Sequence, residues 1–214
     1  IVSAAADEKL WALQPVSEPV VPSVHDRDWV HNEIDAFLLA RLEQAGLAPA
    51  PDADRYTLLR RVSFDLTGLP PTPDEIDAFL NDTAAGAYER VVTRLLDSPG
   101  FGDHWARHWF DLSCYADLAD IQGNVLIRDA WRYRDYVIAA FNANKRFDDF
   151  TREQLAGDIL AEGLPEGARR TELLVASGYN RLNSTSEEGG SQPKEYLVKY
   201  MTDRVRTTST TWMA

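Results

Sequence analysis

Cysteine is nearly missing from this chain of 214 residues, where Cys114 stands alone. A lone thiol excludes an intrachain disulfide framework, a cysteine-rich zinc site and a CxxCH haem attachment within these residues. Positive charge is scarce too: 22 Lys and Arg face 34 Asp and Glu, for a formal net charge of −12. Such a chain repels phosphate backbones, and no basic block forms a tail, so nucleic acid is not an expected partner. The apolar runs are only a few residues long, far short of the roughly 18 that a membrane-spanning helix needs. No serine-centred nucleophile elbow, phosphate loop or dinucleotide fingerprint occurs. No segment alternates apolar and polar residues as a strand does.

What remains is a globular composition, 44% hydrophobic and 10% aromatic, enough to bury a core in one domain or two small ones. Residues 1–30 are rich in Pro and Val; Pro15, Pro19 and Pro22 favour an extended strap, with Trp11 and Trp29 available to pin it. Asn32 is placed to cap a helix through Ile34, Phe37, Leu38 and Leu42 that stops at Gly46. Leu58, Leu59, Val62 and Leu66 mark a second, ending at Gly68, and Thr72, Pro73 and Glu75 form a capping box for a third. Tyr88, Val91, Val92, Leu95 and Leu96 share a fourth helical face. A fifth helix begins near Phe101, Asp129 caps a sixth, and Asp149 or Thr151 starts a seventh through Leu160. Arg170–Tyr179 form an eighth, and Pro193 opens a last helix through Val205. The expected fold is all-α, an orthogonal multi-helix domain over residues 31–214 behind the strap of residues 1–30. The opening IVSAAADEKL reads as a linker tail from an upstream segment, and the unpunctuated TTSTTWMA predicts a domain truncated at its C-terminal end.

The most chemically dense stretch runs from Gly102 to Asp158. There His104, His108 and Asp111 are spaced by four and three, which puts them within roughly 60° on a helix, with Tyr115 a turn beyond. They are weak candidates for a metal set; the competing reading makes His108 a core histidine held by a carboxylate and His104 exposed. Arg128, Arg132 and Arg134 alternate with Trp131, Tyr133 and Tyr136, a composition suited to a carboxylate, sulfate or sugar. Pairing with Asp111, Asp117, Asp129 or Asp135 is the alternative, with Gln154 and Asp158 as further partners. Glu187 and Glu188, before Gly189 and Gly190, suit a solvated or partner-contacting loop better than a calcium site. Asn183, Ser184 and Thr185 match a glycosylation sequon.

Several separated motifs occur in a familiar order: NEIDAFLLARLEQAGLAPAPDADRYTLLRRVSFDLTGLPPTPDEIDAFL, HWARHWFDLSCYAD, AWRYRDYVIAAFN, FTREQLAGD, and the late EEGG with DRVRTT. Over residues 8 to 214 the chain resembles the planctomycete cytochrome-associated domain of unknown function. The resemblance implies a bacterial, periplasmic or otherwise extracytoplasmic setting in a large multi-domain architecture. It also implies a CxxCH segment shortly after the DRVRTT-like helix, so c-type haem is expected in a C-terminal continuation or neighbouring domain and no cofactor in this chain. His104 departs from the family pattern. His108, Asp111, Tyr115, Asp117, Trp131, Arg132 and Asp158 remain as the candidate polar site, with no catalytic residue assigned.

The leading expectation is therefore a binding or scaffold module of an extracytoplasmic redox assembly, with a protein partner. One alternative is a polysaccharide-acting enzyme or glycan-recognition domain, with His108 and Asp111 as the acid/base pair. A purely structural accessory subunit is the other.

Overall fold

The computed structural model describes residues 14–118, 126–182 and 192–213. Trp11, the sequon at residues 183–185, Glu187, Glu188 and Ala214 lie outside them. The described residues form nine α-helices and one 3-10 turn, with no strand beyond a single isolated antiparallel bridge between Leu118 and Leu126. The fold is all-α. None of the described helices is long and apolar enough to cross a membrane.

The chain divides into two compact units, residues 1–52 and 53–214. In the first, α1 (Glu33–Gln44) starts where the sequence puts it. The Asn32 side chain accepts from the N–H groups of Ile34 and Asp35 at 2.9 and 3.2 Å, and Asp35 accepts from the Asn32 N–H at 3.1 Å. This reciprocal box satisfies the orphan donors of the first turn. Residues 14–31 form no helix or strand; Val16 and Val20 are fully exposed, while Trp29 is half-buried. His25 fastens this strap to α1, bonding Glu43 through its backbone N–H and through Nδ1, each at 2.9 Å.

The second unit contains two hydrophobic clusters. One joins α2 (Arg55–Thr67), α3 (Pro73–Asn81) and α4 (Ala87–Leu96) through Leu59, Val62, Phe79, Ala87, Val91 and Leu95. The buried residues of α4 recur every fourth position, the stripe of a helix with one face on a core. Thr72 and Glu75 close the expected capping box on α3, and Gly68 ends α2 in the left-handed conformation, φ +71°.

The other cluster joins α5 (Pro99–Ser113), α6 (Ala130–Asn142), α7 (Phe147–Leu160) and α8 (Ala168–Ala176) with the 3-10 turn Ser177–Arg181. The end of α9 (Pro193–Met213) inserts Trp212 beside it, ring centroids 5.6 Å from Trp109. Small residues let α5 and α6 approach closely. The Gly102 N–H donates to Asn142 Oδ1 at 2.8 Å, and a Cβ on Gly102 would lie 2.6 Å from that carboxamide.

Some helix limits differ from expectation. α5 begins at Pro99, because proline fits the first helical position and the Ser98 hydroxyl accepts from the Gly100 N–H at 3.3 Å. α7 begins at Phe147, which puts Asp148 and Asp149 in its first turn, where the helix dipole favours carboxylates. Asp129 precedes α6 without capping it, since its carboxylate instead accepts from Arg132 Nε at 3.1 Å. α9 continues past Val205 to Met213.

Inside α7 the helix breaks at Ala156, φ −137° and ψ 23°. The carbonyls of Gln154 and Leu155 there accept from Asn180 Nδ2 at 3.3 and 3.4 Å. The next residue, Gly157, faces α8 so closely that a Cβ would stand 2.2 Å from the Leu173 carbonyl oxygen. Gly157→Ala gains helix propensity of at most about 1 kcal/mol but forces α7 off α8, an overpacking cost of about 1–3 kcal/mol. The expected net result is a thermal midpoint several degrees lower, read by circular dichroism; an unchanged or higher midpoint would show that the helices separate freely.

Candidate functional site

The spacing of α5 decides which side chains reach the core. Gly102, Ala106, Trp109 and Ser113 are buried, spaced by four, three and four, so they share one face. At about 100° per residue, His104, His108 and Asp111 fall on roughly the opposite side. His108 and Asp111 are exposed and share no hydrogen bond or ion pair. His104 is the half-buried one, seated so close to Gly68 that a Cβ there would be 2.4 Å from its Nδ1. The expected arrangement, with His108 in the core and His104 outside, is reversed. Among the described residues no three His, Cys, Asp or Glu side chains group as a metal set.

Tyr115 is positioned by the end of α5. Cys114 adopts left-handed geometry, φ 56°, the Tyr115 N–H donates back to the Phe110 carbonyl at 2.9 Å, and the two rings pack with centroids 5.0 Å apart. This is a Schellman ending with its hydrophobic contact. The Tyr115 hydroxyl then donates to exposed Asp117 at 2.7 Å, and burial together with that carboxylate raises its pKa. Trp131 is 44% exposed, with the Arg132 guanidinium 4.8 Å from its ring centroid. Arg132 pairs with Asp129 at 3.1 Å and Arg134 with Asp135 at 3.0 Å, so the local pairing reading describes both. Asp158 is exposed and accepts from the Ile159 N–H at 3.0 Å. Tyr115 and Asp117 are brought together; no bond joins them to His108, Trp131 or Asp158.

The more constrained chemistry lies on α7, at residues the candidate set omits. Glu153 is 3% exposed and Gln154 fully buried, two adjacent polar side chains inside the fold. Glu153 accepts from the Tyr136 hydroxyl at 2.7 Å, from Lys145 Nζ at 2.6 Å and from Arg169 at 2.6 Å. Glu172 bridges the same two cations, each at 2.7 Å. Two carboxylates and two cations thus cancel in one cage. Burial works against the Glu153 carboxylate, but the hydrogen bonds from Lys145, Arg169 and Tyr136 outweigh it and hold its carboxyl below the ordinary glutamate value. Burial first, then Glu153, drives the Tyr136 hydroxyl upward.

Gln154 answers different partners. Trp109 Nε1 donates to its Oε1 at 3.1 Å and to the Tyr133 hydroxyl at 2.9 Å, and that hydroxyl donates to the same Oε1. The indole N–H needs an acceptor, which fixes the carboxamide's orientation. Tyr133 and Tyr136 sit three apart on α6, the interval that points both hydroxyls at α7. The legible signal was the pair Glu153–Gln154 set between Phe150 and Gly157, polar residues on what is otherwise a core face.

Beside this cage is an open cavity of about 270 Å³, lined by Phe101, Trp109, Phe141, Phe147 and Phe150, with Ala140, Asn144 and Lys145. Its walls are ring carbon, and its single charged liner, Lys145, is held by Glu153 and Glu172. The arrangement can hold an apolar group; its charged neighbours are committed to one another.

Replacing Glu153 by Gln removes the carboxylate that Lys145 and Arg169 share and leaves them with Glu172 alone. Breaking a buried pair in this way costs roughly 3–5 kcal/mol, and the half-exposed Arg169 brings the expectation toward the lower figure. The pH dependence follows from the sign of the shift. A depressed carboxyl contributes stability above its unfolded value, 4.5, which is lost as pH falls through the lower folded value. Denaturant unfolding from pH 6 to 3 should show the parent losing stability below about pH 4.5 and Glu153→Gln losing less over that interval. Parallel curves for the two proteins would remove Glu153 from the acid response.

No curated protein and no solved structure matches this chain. A family model described as "Protein of unknown function (DUF1549)", PSCyt2, matches residues 33–214. With all but its first 32 residues inside that match, the chain belongs to the PSCyt2 family of proteins of unknown function.

Proposed function

We propose that this chain is a binding or scaffold module of an extracytoplasmic assembly that includes a c-type cytochrome, with haem carried outside these residues. The observation that carries the reading is the open, ring-walled cavity beside a cage whose charges are spent on one another. Such a frame suits holding a neighbour in place: the lining is apolar, and the charges of the adjoining cage are engaged with one another. The motif resemblance supplies the cytochrome and the compartment, and the lone, exposed Cys114 is in keeping with haem lying elsewhere. The glycan alternative draws on Trp131, exposed with Arg132 stacked on it, a pair able to meet a sugar ring.

The test is on the intact natural polypeptide recovered from the cell envelope. A pyridine haemochrome spectrum with c-type bands, together with a stoichiometric protein partner retained through size exclusion, is the expected result. Recovery without haem and without a partner would sink the reading. Retention on a polysaccharide matrix that Trp131→Ala abolishes would favour the glycan alternative instead.

A further inference from the structure

We infer that the cavity between α5, α6 and α7 is a receptor for one neutral aromatic side chain of a protein partner. The inference deepens the module reading and rests on it for the partner being a protein. Size, lining and charge each narrow the occupant.

At about 270 Å³ the cavity lies below the roughly 300–1,000 Å³ typical of sites for drug-sized ligands. A macrocycle or an oligosaccharide exceeds it, whereas one side-chain ring fills it. Five rings surround the space, Phe101, Trp109, Phe141, Phe147 and Phe150, and present both faces and edges for offset and T-shaped contact. Phe147, the first residue of α7, is 65% exposed at this wall. An inserted ring would cover that apolar surface, and aromatic anchors in such pockets dominate interface energies.

Charge sets the rest of the chemistry. Lys145 is the charged liner, and it bonds Glu153 and Glu172, which Arg169 also bonds, so the four groups carry no net charge. A charged side chain entering the cavity would lose hydration and find no unpaired counter-ion, a cost that a neutral ring does not meet. Asn144 is the uncharged polar liner and can receive a phenol hydroxyl or an indole N–H without altering this balance.

The test titrates the whole chain with blocked amino acids: N-acetyl-phenylalaninamide and N-acetyl-tyrosinamide against N-acetyl-lysinamide and N-acetyl-aspartamide with its free side-chain carboxylate. The readout is the Trp109 indole N–H resonance, followed for saturation. The aromatic amides should saturate, and the charged ones should bind at least tenfold more weakly. Phe147→Ala removes an exposed wall and should weaken the aromatic amides by about tenfold with an unchanged circular dichroism melt. Ala140→Phe fills the space from within and should abolish binding; where that variant does not fold, Phe147→Ala decides. Absence of saturation, equal response to charged amides, or binding indifferent to the wall substitution would overturn the inference. These probes involve no partner, so their failure refutes the receptor while leaving the haem and partner measurement above to stand or fall separately.

Discussion

Two consecutive polar side chains buried on one helix are the constraint on which the α5 to α8 region depends. Glu153 and Gln154 leave α7 about 100° apart; α6 reaches both, through Tyr136 and Tyr133, but their other donors come from different elements. Glu153 turns toward Tyr136, Lys145 and Arg169, and Gln154 toward Trp109 and Tyr133. The first set spans α6, the turn after it, and α8; the second spans α5 and α6. The Gln154 Nε2 has no partner among the described residues, but a buried carboxylate or carboxamide oxygen left without donors is costly, so the acceptors of Glu153 and Gln154 hold each of these elements in register. Packing alone is less exacting, since apolar faces can slide at modest cost.

That register explains why the aromatic cavity exists. Trp109 bonds Gln154 through its indole nitrogen and presents ring surface to the cavity. Lys145 bonds Glu153 and Glu172 and lines it too. The wall is therefore tied to the cage at two points. Gly102 draws α5 onto α6 at Asn142, and Gly157 draws α7 onto α8 at Leu173. With both contacts fixed by the missing Cβ atoms, Phe101, Phe141, Phe147 and Phe150 are not free to collapse inward.

Much of the helical framework was legible because its signals are local. The boxes at Asn32 and Thr72 and the glycine at position 68 act within one turn, so residue type and spacing suffice to place them. Asp129 failed as a cap for an equally physical reason: its backbone is at φ −114°, ψ 12°, and Arg132 takes its carboxylate. The site was less legible. Reading α5 by its conspicuous residues selects His104, His108 and Asp111, yet the buried side is written in Gly102, Ala106 and Ser113 beside Trp109. Small residues mark close helix approach, and they outweigh the histidines in deciding the face. FTREQLAGD likewise looks solvent-facing by composition; Phe150 and Gly157 mark the core face that Glu153 and Gln154 share, but their hydroxyl partners, Tyr136 and Tyr133, lie on another helix.

A buried ion cage is an expensive way to fill space. Well-packed apolar side chains of similar volume often give equal or greater stability, so net stabilisation is a poor account of why Glu153, Lys145, Arg169 and Glu172 meet here. Geometry is a better one. A leucine at position 153 could pack in several rotamers against α6 and α8, whereas a carboxylate with three donors at 2.6–2.7 Å has few satisfactory placements. The cage also neutralises the cation nearest the cavity in a chain of formal charge −12. The rings beside it thus face a region of balanced charge, and selectivity there passes to shape and aromatic contact.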